Sequence, residues 1–189
     1  MPGMPIFRPA DGLETAMSWA WIARHRQGPA ALSLTRQKVK ALERPASFQQ
    51  GDVLKGAYTV REAEGAPRVV IVASGSEVSL ACDAAEKLCA DGVATRVVSM
   101  PCMELFLEQD VAYQREVVPR DDTLVVAVEA GRGDSLHKLI GAHGFVYGID
   151  RFGASAPYTD LAEFFGYTPD QLCERILEEV RAEGENAAG

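Results

Sequence analysis

Arg68-Val69-Val70-Ile71-Val72-Ala73-Ser74-Gly75-Ser76-Glu77 is the stretch that decides the fold class. Val69 to Val72 are all β-branched and apolar, with no polar residue alternating among them. Such a run suits a strand covered on both faces, as in a parallel sheet. Ser74 to Glu77 then supply a turn and a helix cap, predicting a helix to about residue 91 that Gly92 ends. Downstream the pattern repeats. Strands are predicted over 93–99, 123–128 and 145–149, and Pro101 breaks the first of these. Between them, 103–115 reads as a helix with irregular turns and 134–142 as a helix. After a loop over 150–157 come a short helix over 160–165 and a last helix capped by Thr168, with Pro169 at its first position. That last helix is expected to end near Glu183, leaving a frayed tail over 184–189. The alternation predicts an α/β fold of three layers, a mostly parallel sheet with helices on both faces.

Upstream, the chain reads as a second and incomplete α/β unit. A strand around 5–8 precedes Asp11-Gly12-Leu13-Glu14, which has capping-box spacing. The following helix, 12 to about 26, has an apolar stripe of Leu13, Met17, Ala20 and Trp21. Gly28-Pro29 stops it, and 30–35 is a strand. Two strands and one helix leave apolar faces open, so this β-α-β should need a sheet it does not contain. Residues 38–56 are rich in polar and turn residues and read as a linker, and 57–61 as a short edge strand. The expected organisation is therefore 1–40 as the end of one domain, 41–56 as linker and 57–189 as a complete domain. Rapid proteolytic loss of residues 1 to about 50 is expected.

Composition narrows the function. The 189 residues carry a net charge of −8, with Lys and Arg scattered among acids. Phosphate neutralisation needs clustered cations, so nucleic-acid binding is not expected, nor is a membrane surface. No run approaches the ~18 apolar residues of a spanning helix, and no secretory signal is visible at the N-terminus. Cys82, Cys89, Cys102 and Cys173 form no C-x-x-C pair. Cys82 and Cys89 share one helix face and read as core filler. The pattern fits a reducing cytoplasm.

No complete catalytic apparatus is visible. His25, His137 and His143 lack zinc-site spacing, and no metal site is expected. There is no nucleophile elbow, Walker loop or dinucleotide fingerprint. Gly131-Arg132-Gly133 is too short for the last, and Arg132-Gly133-Asp134 is a chance match to an integrin tripeptide. Backbone N–H groups at a helix start such as Ser74 to Glu77 can hold an anion, but Glu77 would repel it. The simpler reading is a βα turn closed by Ser74 and Glu77 themselves. Arg36, in Thr35-Arg36-Gln37, stands where a predicted strand runs out. Open α/β sheets bind ligands beyond the carboxyl ends of their strands, and a guanidinium fork matches phosphate oxygens.

Several segments together resemble the transketolase family. They are Phe7-Arg-Pro-Ala-Asp11, Ala31-Leu-Ser-Leu-Thr-Arg-Gln37, Gly56-Ala-Tyr58, Ala73-Ser-Gly-Ser-Glu-Val78 and Arg96-Val-Val-Ser-Met-Pro101. Val128-Glu-Ala-Gly131, Gly148-Ile-Asp-Arg-Phe-Gly-Ala-Ser155 and Phe164-Phe-Gly-Tyr-Thr-Pro169 continue the match in order. Deoxyxylulose-phosphate synthase and the β-subunits of oxo-acid dehydrogenases share the C-terminal fold but lack this combination. The resemblance implies the end of a pyrimidine-binding domain followed by a whole C-terminal domain. It implies that the intact enzyme moves a two-carbon ketol unit from a ketose phosphate to an aldose phosphate in the pentose phosphate pathway. Thiamine diphosphate and Mg2+ (or Ca2+) would serve it, in a homodimer.

The thiamine-activating glutamate, metal ligands and catalytic histidines of the family have no counterpart here, so no catalytic, cofactor-binding or metal residue is expected in this chain. The one residue carried over is Arg36, as the arginine that binds the substrate phosphate. Thr35 stands where the family often has Ser, and Lys38-Val39 replaces the usual Asn-Leu. The chain alone is expected to be inactive and to need the missing N-terminal domains or subunit. The alternative is a stand-alone, non-catalytic α/β binding or regulatory module.

Overall fold

Burial of one strand on both faces organises the molecule. The computed structural model describes residues 3–25, 27–121 and 123–188. In it, β4 (Val69–Ala73) is buried along its whole length. Its neighbours are β5 (Thr95–Ser99) on one side and β6 (Leu124–Val128) on the other, both parallel to it. β7 (Phe145–Tyr147) extends the parallel part beyond β6, and β3 (Tyr58–Arg61) closes the other edge antiparallel to β5. The order is β3-β5-β4-β6-β7. A separate two-stranded parallel sheet joins β1 (Ile6–Phe7) to β2 (Ala31–Leu32).

The period of two along β4 sorts its side chains between two cores. Val69, Ile71 and Ala73 face α2 (Glu77–Ala90) and α6 (Pro169–Ala188), packing with Val78, Leu88, Leu172 and Ile176. Val70 and Val72 face the opposite layer, with Phe106 of α3 (Met103–Leu107), Val117 of α4 (Val111–Val117) and Leu139. Helices on both faces are what the uninterrupted apolar runs require.

The structure departs from the sequence reading where elements are short or amphipathic. Residues 103–115 form two helices, because Asp110 accepts the Tyr113 N–H at 2.8 Å and starts α4 afresh. Asp134–Lys138 is a 3-10 turn rather than an α-helix over 134–142. β2 covers only Ala31–Leu32 of the expected 30–35, and β7 stops at Tyr147. α5 begins two residues early, at Tyr158–Phe165. α6 continues to Ala188, past the expected end at Glu183, so most of the expected tail is helical.

α1 (Gly12–Arg24) is the largest correction. Its buried residues are Glu14 and Ser18, while Leu13, Met17, Ala20 and Trp21 are only half-buried. The expected end near Arg26 lies outside the described residues. The 38–56 segment is also more tightly held than a linker reading implies. It carries a 3-10 helix, Gln50–Lys55, whose Val53 is fully buried, and Leu42 and Phe48 pack on the main core. All four cysteines are free; Cys82 and Cys89 are half-buried. No helix among the described residues is long and apolar enough to cross a membrane.

Candidate functional site: the Arg36 loop and the crevice behind it

Arg36 lies on a loop just past the end of β2, exposed like every residue from 33 to 41. The Thr35 hydroxyl accepts the Gln37 N–H at 3.2 Å, turning the chain at Arg36. Serine offers the same acceptor, so the turn can form with either residue. Beside this loop a cavity of about 430 Å3 opens, lined by Gln37, Ser76, Arg132, Arg151, Leu161 and Phe165 among others. Arg132 is tied to Asp134 at 3.0 Å, and Arg151 lies over the Phe164 ring at 4.7 Å.

The strand that leads into the loop is held by contacts deeper in the molecule. The Ala31 N–H donates to the Pro5 carbonyl at 2.9 Å and the Ser33 N–H to the Phe7 carbonyl at 2.8 Å, fastening β2 to β1. Phe7 is fully buried, with Trp21 tilted against it at 5.2 Å. Arg8 then enters the crevice between the carboxyl ends of β4 and β6. There the strand order reverses, and open α/β sheets characteristically hold ligands at that point. Its guanidinium pairs with Glu77 at 3.3 Å and with Glu129. Its N–H donates to the Pro101 carbonyl at 2.7 Å, and its carbonyl accepts the Gly75 N–H at 2.9 Å. Burial, with Glu129 adding to it, pushes the Glu77 carboxyl above its ordinary range despite Arg8. Glu77 therefore reaches across the molecule to Arg8. The expected self-contained turn closed by Ser74 and Glu77 does not describe it.

A second set of polar groups binds α1 to the large sheet. The Glu14 carboxylate is fully buried and accepts from the Ser99 hydroxyl at 2.6 Å, the Tyr58 hydroxyl at 2.8 Å and the Ala10 N–H at 2.6 Å. Burial drives its pKa up, and Asp11 adds to this. Asp11 caps α1 through the Glu14 N–H and takes a two-pronged contact from Arg44, at 2.8 and 3.0 Å. Burial opposes its charge, but Arg44 and the Glu14 and Leu42 N–H groups outweigh it and hold its pKa below the usual carboxylate range. Arg44 also donates to the Tyr58 hydroxyl at 3.0 Å.

None of this is a catalytic constellation. Burial pushes the Cys82 thiol up to about 11 and the Cys102 thiol up to about 12, so neither is a ready thiolate near neutral pH. Among the described residues, no three His, Cys, Asp or Glu side chains come together as metal ligands. Sequence reading singled out Arg36 from a local motif and did not find the contacts made by Arg8. Arg8 lies 69 residues from Glu77 and 121 from Glu129, and no local pattern records such a meeting.

The family model described as the transketolase-like TK C-terminal domain matches residues 56–168. The chain is 44% identical over 178 residues to a transketolase of Aquifex aeolicus, covering 94% of this chain and 26% of that protein. The solved transketolase of Campylobacter jejuni superposes with a TM-score of 0.84 at 41% identity, over 94% of this chain and 26% of its own. A structure described as a split gene transketolase, inactive beta4 tetramer, shares the fold, with a TM-score of 0.75 at 24% identity over 96% of this chain and 59% of its own. The chain thus spans about a quarter of the length of the curated relatives it matches. With its five-stranded, mostly parallel sheet and the match over 56–168, the chain belongs to the transketolase family through the C-terminal domain of those enzymes.

Proposed function

We propose that this chain is the C-terminal portion of a transketolase: 1–40 as the end of the pyrimidine-binding domain, 41–56 as linker and 57–189 as the C-terminal domain. In the assembled enzyme it serves the transfer of a two-carbon ketol unit between sugar phosphates in the pentose phosphate pathway, in the cytoplasm and within a homodimer. Thiamine diphosphate and Mg2+ (or Ca2+) would be held by domains this chain does not contain. The chain's own part is Arg36, whose guanidinium pairs with the substrate phosphate. That remote binding energy orients the sugar at the reacting centre. The observation that carries this reading is Arg36 itself, exposed and turned outward just past β2 on a Thr35-closed loop. Against an independent binding module stands the crevice at the strand switch, where Arg8 of the same chain already occupies the charged positions as the partner of Glu77 and Glu129.

A ketol-transfer assay with thiamine diphosphate, magnesium, xylulose 5-phosphate and ribose 5-phosphate tests the reading. The chain alone is expected to be inactive and to gain activity when joined to, or mixed with, the remaining transketolase domains. Saturable thiamine diphosphate binding by the pure chain would sink this assignment. In the active assembly, Arg36→Ala should lower kcat/KM for phosphorylated substrates by roughly 10- to 100-fold, the worth of a charge-assisted pair. Unphosphorylated substrates should change far less, and equal losses would remove Arg36 from the phosphate site.

A further inference from the structure

The crevice behind the loop gives the C-terminal domain a task in substrate recognition, on the reading of Arg36 just given. Glu77 and Glu129 converge there from the ends of β4 and β6, both largely shielded from water. Two shielded carboxylates facing one space repel each other, and a cation placed between them relieves that repulsion. The Arg8 guanidinium is that cation. The main chain at Arg8 is held as well, through Gly75 after β4 and Pro101 after β5. Residues following three neighbouring parallel strands thus grip a single residue of the upstream segment.

Arg8 directly follows β1, and β1 is the only strand paired with β2 among the described residues. β2 ends at Leu32, and the Ser33 N–H is still fastened to Phe7, the residue before Arg8. From there a short exposed turn leads to Arg36. We infer that Arg8, clamped between Glu77 and Glu129, is a positioning residue that sets the Arg36 guanidinium through β1 and β2. The crevice where sheets of this order bind small ligands is thereby used to hold part of the substrate-phosphate machinery in register.

Arg8→Met, Arg8→Lys and Glu129→Gln in the assembled transketolase test this, with Arg36→Ala alongside. Arg8→Met should raise KM for a phosphorylated donor several-fold with a smaller change in kcat, and leave an unphosphorylated ketose donor little affected. Arg8→Lys should recover part of the loss. Glu129→Gln keeps the side-chain volume and should show the same bias more weakly, even if Arg8→Met folds poorly. In the chain alone, hydrogen exchange at the Ala31 and Ser33 amides should speed up in the Arg8 and Glu129 variants, while the Val70 and Val72 amides stay protected. If Arg36→Ala discriminates against phosphorylated substrates and the Arg8 and Glu129 variants do not, Arg8 does not position Arg36. If Arg36→Ala fails to discriminate, the phosphate reading itself falls. Exchange at Ser33 then decides the clamp alone, and unchanged protection there overturns it.

Discussion

At the scale of single residues, the junction of α1 with the large sheet is electrostatic. Arg44 and Asp11 are both nearly out of water, with side chains 10% and 3% exposed. Removing one member of such a pair strands the other charge. Arg44→Met should therefore cost about 3–5 kcal/mol in denaturant unfolding, and a loss below about 1 kcal/mol would show the pair to be no better than a surface one. Asp11 also makes a pH prediction. Its folded pKa is depressed, so its contribution is present above its unfolded value near 3.9 and fades as pH falls through the lower folded value. The stability gap between the parent and Asp11→Asn should shrink below about pH 4, and a gap constant between pH 3 and 7 would contradict it. Glu14 works in the opposite sense. Its folded pKa is raised, so its contribution is present at acid pH and is lost as pH rises through that folded value.

At the scale of elements, the passage from the Gln50–Lys55 turn into β3 hinges on Gly56. Its φ is +91°, and an added Cβ would meet the backbone of Phe106 and Cys102 at the start of α3. Neither backbone can yield cheaply, so Gly56→Ala should lose about 2–4 kcal/mol of stability and broaden the melting transition. A neutral substitution would mean that α3 shifts freely. Element reading from sequence succeeded where burial was complete. The runs Val69–Ala73 and Leu124–Val128 need apolar neighbours on both faces wherever they sit, so their type was legible. It was incomplete at α1, where Met17 and Trp21 of the apolar stripe do pack, on the main core and on Phe7, but the fully buried positions beside them are Glu14 and Ser18, with Ser99 and Tyr58 donating hydroxyls to Glu14. It failed at Asp134–Lys138 and at the break before α4, where single turns cannot be told from full helices by periodicity.

At the scale of the molecule, the upstream segment is attached rather than loose. Glu14, Asp11 and Arg8 tie 5–32 to the large sheet and to 42–44, while 33–41 is exposed throughout. Trypsin should cut first at Arg36, Lys38 or Lys40, and the fragment before the cut should stay bound in native gel filtration. Rapid loss of everything up to about residue 50, the outcome expected from the incomplete β-α-β pattern of the sequence, would show these ties to be too weak to hold. On the proposed assignment, addition of the remaining transketolase domains should protect 33–41 from the same protease.

The sequence by itself determined the layered α/β class, the edge position of the 57–61 strand, the family and the placement of Arg36 after a strand. These follow from hydrophobic period, turn residues and local motif spacing, all of which act over a few neighbouring residues. Only the tertiary structure decided that Glu14 and Ser18 are the buried positions of α1, that the 38–56 segment is strapped to the core, and that Arg8 sits between Glu77 and Glu129. Those outcomes depend on polar and charged groups brought together across 33 to 121 residues. The energy of such a meeting comes from shared burial, which exists only once the sheet has closed over it.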